Sequence, residues 1–226
     1  VYVRKVGARV LDFGHRGWLL DESFIFYDRK YDSLWVQATG LCISGKFQGE
    51  RLATVPVTHT TWGQWRSLHP TTLVLAKPKN LVDRYRRDAY GPYYERRGTR
   101  FGLAVFVGNQ QKLYPLDQLH ANPVVHDQVG GEPVLVVYHA PTQTAVGLRP
   151  IVAGKPISLE LAEVTADDVL LRAPGREAIW SGLTGRSRAD GAAADRLAQL
   201  RTTQFVVANW PRHFPGSPIY TAPAAE

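Results

Sequence analysis

Short apolar-rich runs separated by turn-forming residues dominate this chain. Runs of that kind, bounded by glycine, proline, asparagine, aspartate or serine, read as strands. Two series of strands are predicted on that basis. The first covers residues 1–6, 9–13, 23–28, 33–37, 52–57 and 73–75. The second covers 101–107, 134–138, 144–148, 157–161, 169–172, 178–180 and 197–200. Between them, Asp28-Arg29-Lys30-Tyr31-Asp32 and Ala173-Pro174-Gly175-Arg176 carry the residues that tight turns favour and read as hairpin turns. Helical periodicity is brief. After a capping threonine at 60 or 61, Trp62, Trp65 and Leu68 recur every third residue until Pro70 stops the run. Leu116–Leu119 reads as a second short helix. The expected class is mainly β.

The two series are related. At an offset of 145, residues 22–75 lie over 167–220 without a gap, and the matches include Trp35/Trp180, Gly40/Gly185, Leu52/Leu197, Trp65/Trp210 and Pro70/Pro215. With six tryptophans in the chain, two coincident pairs in one register argue for a supersecondary unit used twice. A glycine-centred hairpin extends the match with a shift of two residues, Val6–Val10 against Ala153–Ile157. The second copy, Phe205–Pro215, keeps Trp210 but carries Pro211, which lacks an N–H and shortens or kinks the helical turn. The expected organisation is a first β unit over 1–75, a basic and aromatic excursion over 76–100, and a second, more complete β unit over 101–226. Each unit bears one short tryptophan-carrying helix.

The units are expected to be unequal. Strand-forming residues 101–149 lead into the second unit and have no counterpart before Val1. The expectation is that matching strands belong to a longer, trimmed product or come from another polypeptide, since unpaired strand edges favour association. The lack of any methionine also points to a processed chain.

Composition narrows little. The hydrophobic share of 44% and charged share of 21% suit a globular domain. No apolar run approaches the ~18 residues that span a bilayer, and Val1–Val6 begins directly as a strand, without a leader pattern. A net charge of +7 biases the surface toward anionic partners. The single cysteine, Cys42, permits no internal disulfide and no zinc spacing.

Candidate chemistry is sparse. The segment 84–97 combines Arg84, Arg87 and Arg96, which contact anions, with Tyr85, Tyr90, Tyr93 and Tyr94, whose flat faces suit stacking. The bland alternative is a structured loop whose arginines pair with Asp83, Asp88 and Glu95. Nucleic acid is not expected, because no recognised module is present. No metal or other cofactor is expected either: the seven histidines show no ligand spacing, although His59, His126 and His139 are candidates for convergence. Cys42 or Ser44 with His59 as base is a nucleophilic possibility, set against a cysteine that simply packs. Trp35, Trp62, Trp65, Trp180 and Trp210 are expected in the core, with an exposed Trp18 or Trp62 as a sugar-stacking alternative.

Four stretches carry a resemblance: YDRKYDSLWVQATG (27–40), HTTWGQWRSLHPTTLVL (59–75), YRRDAYGPYY (85–94) and VVHDQVGGEPVLVVYHAPTQTA (124–145). In that order they resemble the family known as domain of unknown function 3179. The resemblance implies a mostly bacterial or archaeal protein, often exported, with no assigned reaction. That family commonly has a strand reading tyrosine-cysteine-proline-leucine-cysteine-glycine-threonine-alanine. The corresponding Tyr138–Ala145 reads YHAPTQTA and has no cysteine. The functional expectation is a non-catalytic, extracytoplasmic binding or assembly module, held by protein partners in a larger complex. The alternative is a redox- or metal-dependent enzyme or accessory whose reactive residues lie partly outside this chain.

Overall fold

Strand pairing accounts for nearly all the regular structure. The computed structural model describes residues 1–74, 76, 99–188 and 196–223. The first copy opens with a hairpin of β1 (Lys5–Val6) and β2 (Arg9–Val10). It continues as a four-stranded antiparallel sheet of β3 (Phe13–Leu20), β4 (Ser23–Asp28), β5 (Leu34–Val36) and β6 (Cys42–Ser44), in that order. Helix α1 (Trp62–Leu68) follows.

The middle of the chain is strand-rich. There β7 (Phe101–Val107) and β8 (Gln110–Pro115) form a hairpin, then come α2 (Leu116–Ala121), β9 (Val124–Val129), β10 (Glu132–His139) and β11 (Thr144–Arg149). The second copy repeats the first as the hairpin β12 (Ile151–Val152) and β13 (Lys155–Pro156), then β14 (Glu160–Val164), β15 (Val169–Arg172) and β16 (Ile179–Ser181). Strands β17 (Ala198–Gln199) and β18 (Arg201–Val206) lead to α3 (Trp210–His213). Strand β17 joins the β11-β10-β9 sheet and β18 joins β7-β8.

The duplication extends to single hydrogen bonds around the shared glycine. Gly40 N–H donates to Val36 O at 2.8 Å, and Gly185 N–H donates to Ser181 O at the same distance. Leu52 N–H reaches Gly40 O at 3.0 Å, and Leu197 N–H reaches Gly185 O at 2.9 Å. This glycine is the same residue in both copies for a physical reason. It holds φ of +66° and +71°, and a Cβ at Gly185 would stand 2.7 Å from Leu197 O. The tryptophan helices also match, with His69 N–H to Trp65 O and Phe214 N–H to Trp210 O closing each. The opening hairpins pair Val6 with Arg9 and Val152 with Lys155, so their shift is one residue beyond 145, not the expected two.

Each helix packs on the other copy. From α1, the Gln64 side chain donates to Asp167 O, at the turn before β15. From the 3-10 turn before α3, Asn209 Nδ2 donates to Glu22 Oε2 at 2.8 Å, at the turn before β4. Gln64 and Asn209 are equivalent positions, as are Glu22 and Asp167. The contact is therefore reciprocal, the pattern of an isologous interface, here within one chain.

Four apolar clusters form the core. Two belong to the more complete second half: Leu135, Val137, Val146, Leu148, Val169, Leu171 and Trp180 form one, and Leu103, Val105, Tyr114, Val134 and Val136 belong to another. A smaller one around Leu11, Trp35, Cys42, Phe47 and Leu52 holds the first copy, and Trp210 with Phe214 anchors the last. Some strand expectations fail. Residues 52–57 make only isolated bridges, and Leu73 and Val74 are exposed and unpaired as strand. Strands β6, β8, β9 and β18, and all of β3 beyond Phe13, were not anticipated.

Candidate functional site

Between the first-copy sheet and the β18-β7-β8 sheet runs an open groove of about 1680 Å³. Its floor is the start of β4 and the turn after β5, through Ser23, Phe24 and Gln37–Thr39. One wall is Val1, Tyr2 and residues 51–54 with 57–60, and the other is β18 with the ends of β7. Tyr2 fixes the corner by donating its hydroxyl to Gln37 O at 2.7 Å. Burial pushes that phenol up to about 12, against the opposing pull of Arg51. Arg51 donates to Thr39 O at 3.1 Å and Arg201 to Gly108 O at 2.9 Å, so two cations stand on the groove walls.

The groove exists because equivalent residues are covered in one copy and open in the other. Val169 is fully buried, yet its counterpart Phe24 is 51% exposed. Outside the groove the same contrast recurs: Leu200 is 7% exposed and its counterpart Val55 is 39% exposed. In the second copy β10 and β11 lie over Val169 and Leu183. Gly182 permits this, since a Cβ there would meet Val137 Cγ1 at 2.8 Å; the first copy has Gln37 instead. Backbone pairing differs in the same way. All six residues of β18 pair with β7, whereas the equivalent residues 56–61 make one strand bridge, His59 with Ala145.

The residues singled out from sequence are placed unevenly. Arg84, Tyr85, Arg87, Tyr90, Tyr93, Tyr94 and Arg96 lie outside the described residues. The three histidines do not gather. His59 lines the groove, His126 bonds through Nε2 with the backbone of Leu159, and His139 is fully buried. Among the described residues no group of three His, Cys, Asp or Glu is placed to hold a metal. Cys42 packs at 1% exposure against Trp35 and Phe47, and burial raises its thiol, which disfavours the nucleophilic thiolate.

Trp35, Trp180 and Trp210 are fully buried, as expected, and Trp65 is half-buried, with its indole N–H donating to Thr72 Oγ1 at 2.9 Å. Trp62 departs from the expectation: it is 52% exposed. At 100° per residue, Gln64, Trp65 and Leu68 share the packed face of α1, and Trp62 sits to one side of it. Thr61 caps this helix by accepting from Gln64 N–H at 3.2 Å.

One buried polar chain escaped sequence reasoning. His139 Nε2–H donates to Thr165 O at 2.9 Å, and its Nδ1 is hydrogen-bonded with the Thr142 hydroxyl at 2.8 Å. Thr142 meets Thr144 at 2.8 Å, and Thr144 meets Thr60 of the first copy at 2.7 Å. Positions 139 and 142 are those where the family resemblance places cysteines. A second polar cluster joins Lys112 to Asp127 at 2.7 Å, with the Tyr114 hydroxyl donating to Asp127 at 2.9 Å. Burial pushes Asp127 up, but Lys112, the Gln128 N–H and Tyr114 together outweigh it and hold the carboxyl below its usual range. Among the described residues no helix is long and apolar enough to cross a membrane.

Comparison with known proteins agrees with the internal repeat. Residues 1–104 and 102–225 each match the model of a single family, described as Protein of unknown function (DUF3179). Neither the curated proteins nor the solved structures contain a match.

Proposed function

The chain belongs to the DUF3179 family, and from that premise we propose that it is a non-catalytic binding or assembly module, acting outside the cytoplasm as part of a larger complex. One observation carries the reading: the open groove beside the half-exposed Phe24, whose second-copy counterpart Val169 is buried beneath β10 and β11. A half-exposed Phe24 beside Val1 and Leu19, which are 72% and 62% exposed, marks the kind of patch that soluble surfaces reserve for partners. The net charge of +7 favours a partner with acidic surface. The extracytoplasmic setting rests on the family resemblance alone.

Purification from the native source under non-denaturing conditions tests the proposal. A stable particle heavier than the denatured polypeptide from the same source is expected, and Phe24→Asp should release the partner while leaving the circular dichroism spectrum unchanged. A particle of the chain's own mass, unaltered by the substitution, would overturn it.

A further inference from the structure

We propose that the β4–β5 turn of the first copy, with Arg9, Lys30, Lys46 and the Tyr31 hydroxyl around it, is a binding site for the phosphate group of an anionic ligand. Tyr31 is the centre of the cluster. Its backbone N–H donates to the buried Asp28 carboxylate at 2.7 Å, and its ring meets Phe47 edge-on with centroids 5.3 Å apart. Both contacts hold the phenol in place, so a ligand need not order it. Lys46 Nζ lies 4.0 Å from the ring centroid and Lys30 Nζ 5.4 Å, within reach of a cation–π contact. Arg9, from β2, is a further hydrogen-bonding neighbour of the hydroxyl. Burial pushes the phenol up, but the Lys30 and Lys46 charges and hydrogen bonding from Arg9 and Lys30 outweigh it and hold it below its usual range, as a locally positive field does.

Nothing acidic answers that field. Arg4, Arg16 and Arg100 each face an aspartate, whereas among the described residues no carboxylate pairs with Arg9, Lys30 or Lys46. The two aspartates of the turn are engaged elsewhere. Asp28 accepts from the Ser33 and Trp35 N–H groups, and Asp32 is held by Arg16 through both oxygens at 2.6 and 2.7 Å. Three cations and a hydroxyl donor match a phosphate, with about two charges and three strong acceptor oxygens, better than they match a carboxylate.

Exposure here is a property of this end of the unit. In the second copy, where β7–β11 are in place, the equivalent Lys155, Gly175 and Arg176 are exposed as well. What differs is the chemistry. Ala173, Gly175 and Arg176 stand for Asp28, Lys30 and Tyr31, so the anchoring carboxylate and the phenol are both missing there. None of Arg9, Lys30, Tyr31 and Lys46 lines the groove, so the inference stands apart from the assembly reading.

Equilibrium dialysis of the full-length protein against radiolabelled phosphate at fixed ionic strength tests this. Saturable binding at one site per chain is expected. Lys30→Gln or Lys46→Gln should each weaken it about tenfold, the loss of one charge-assisted contact. Arg176→Gln, the same charge change at the equivalent end of the second copy, should leave it unaltered. Acetate should compete at least about tenfold less well than phosphate. Binding that does not saturate, that acetate matches, or that Arg176→Gln weakens as much as Lys46→Gln would overturn the proposal. Phosphatidylcholine vesicles with and without phosphatidic acid separate the sources. Retention by the phosphatidic acid vesicles alone, abolished by Lys46→Gln, assigns a lipid headgroup; saturable phosphate binding without retention assigns a soluble phosphate.

Discussion

Asp28 separates the two copies energetically. Its fully buried carboxylate accepts from Tyr31 N–H at 2.7 Å, Ser33 N–H at 3.1 Å and the Trp35 indole N–H at 3.3 Å. It thus closes the β4–β5 turn and satisfies the largest side chain of the first core at once. The equivalent position is Ala173, and correspondingly the buried Trp180 indole N–H has no hydrogen-bond partner among the described residues. Asp28→Ala orphans two buried donors, while the Tyr31 amide, on a half-buried residue, regains water. At about 1–3 kcal/mol per orphaned donor, offset by release of a desolvated carboxylate, the net loss is about 3 kcal/mol. For a chain of this size that lowers Tm by about 6–12 °C. Scanning calorimetry of Asp28→Ala beside wild type reads this directly. Trp35→Phe and Trp180→Phe provide the internal control: the first should cost about 1–3 kcal/mol more than the second, which removes an orphan donor rather than a bond. A Tm change under about 2 °C for Asp28→Ala, or equal costs for the two phenylalanine variants, would refute the reasoning.

Other outcomes follow from the same contacts. Because the folded state holds Asp127 below its unfolded value, its contribution is complete above the usual carboxylate range and is lost as pH falls through the lowered value. Asp127→Asn should therefore flatten the acid limb of unfolding free energy against pH, measured by urea titration, and lose stability chiefly at neutral pH. Gly182→Ala places a Cβ 2.7 Å from Val169 O and 2.8 Å from Val137, so it should destabilise by about 1–3 kcal/mol in denaturant unfolding, while Gln37→Ala in the open copy should cost under about 0.5 kcal/mol. Cys42 should resist a thiol reagent in the native protein and react at once in denaturant, as its burial and raised pKa require.

Local chemistry wrote much of this protein into its sequence. The strand-forming run Ser23–Asp28, the capping Thr61 and the terminating Pro70 act over a few residues, and the structure keeps each of them. The shared Gly40 and Gly185 required a positive φ in both copies, so the repeat was legible before any contact was known. Trp62 shows the limit even for a local signal, because a spacing of three matched two different helix faces and only packing chose between them. The groove lay further beyond reach. Phe24 and Val169 sit in equivalent strands with similar flanking patterns, and their opposite burial depends on β10 and β11, distant in sequence, covering only one of them. The exchange of helices between copies is equally non-local: nothing near Gln64 names Asp167 as its acceptor. Sequence by itself determined part of the strands, the turns and the doubling, because those depend on neighbours along the chain. Tertiary structure alone decided which faces are covered, because burial depends on what the rest of the chain brings there.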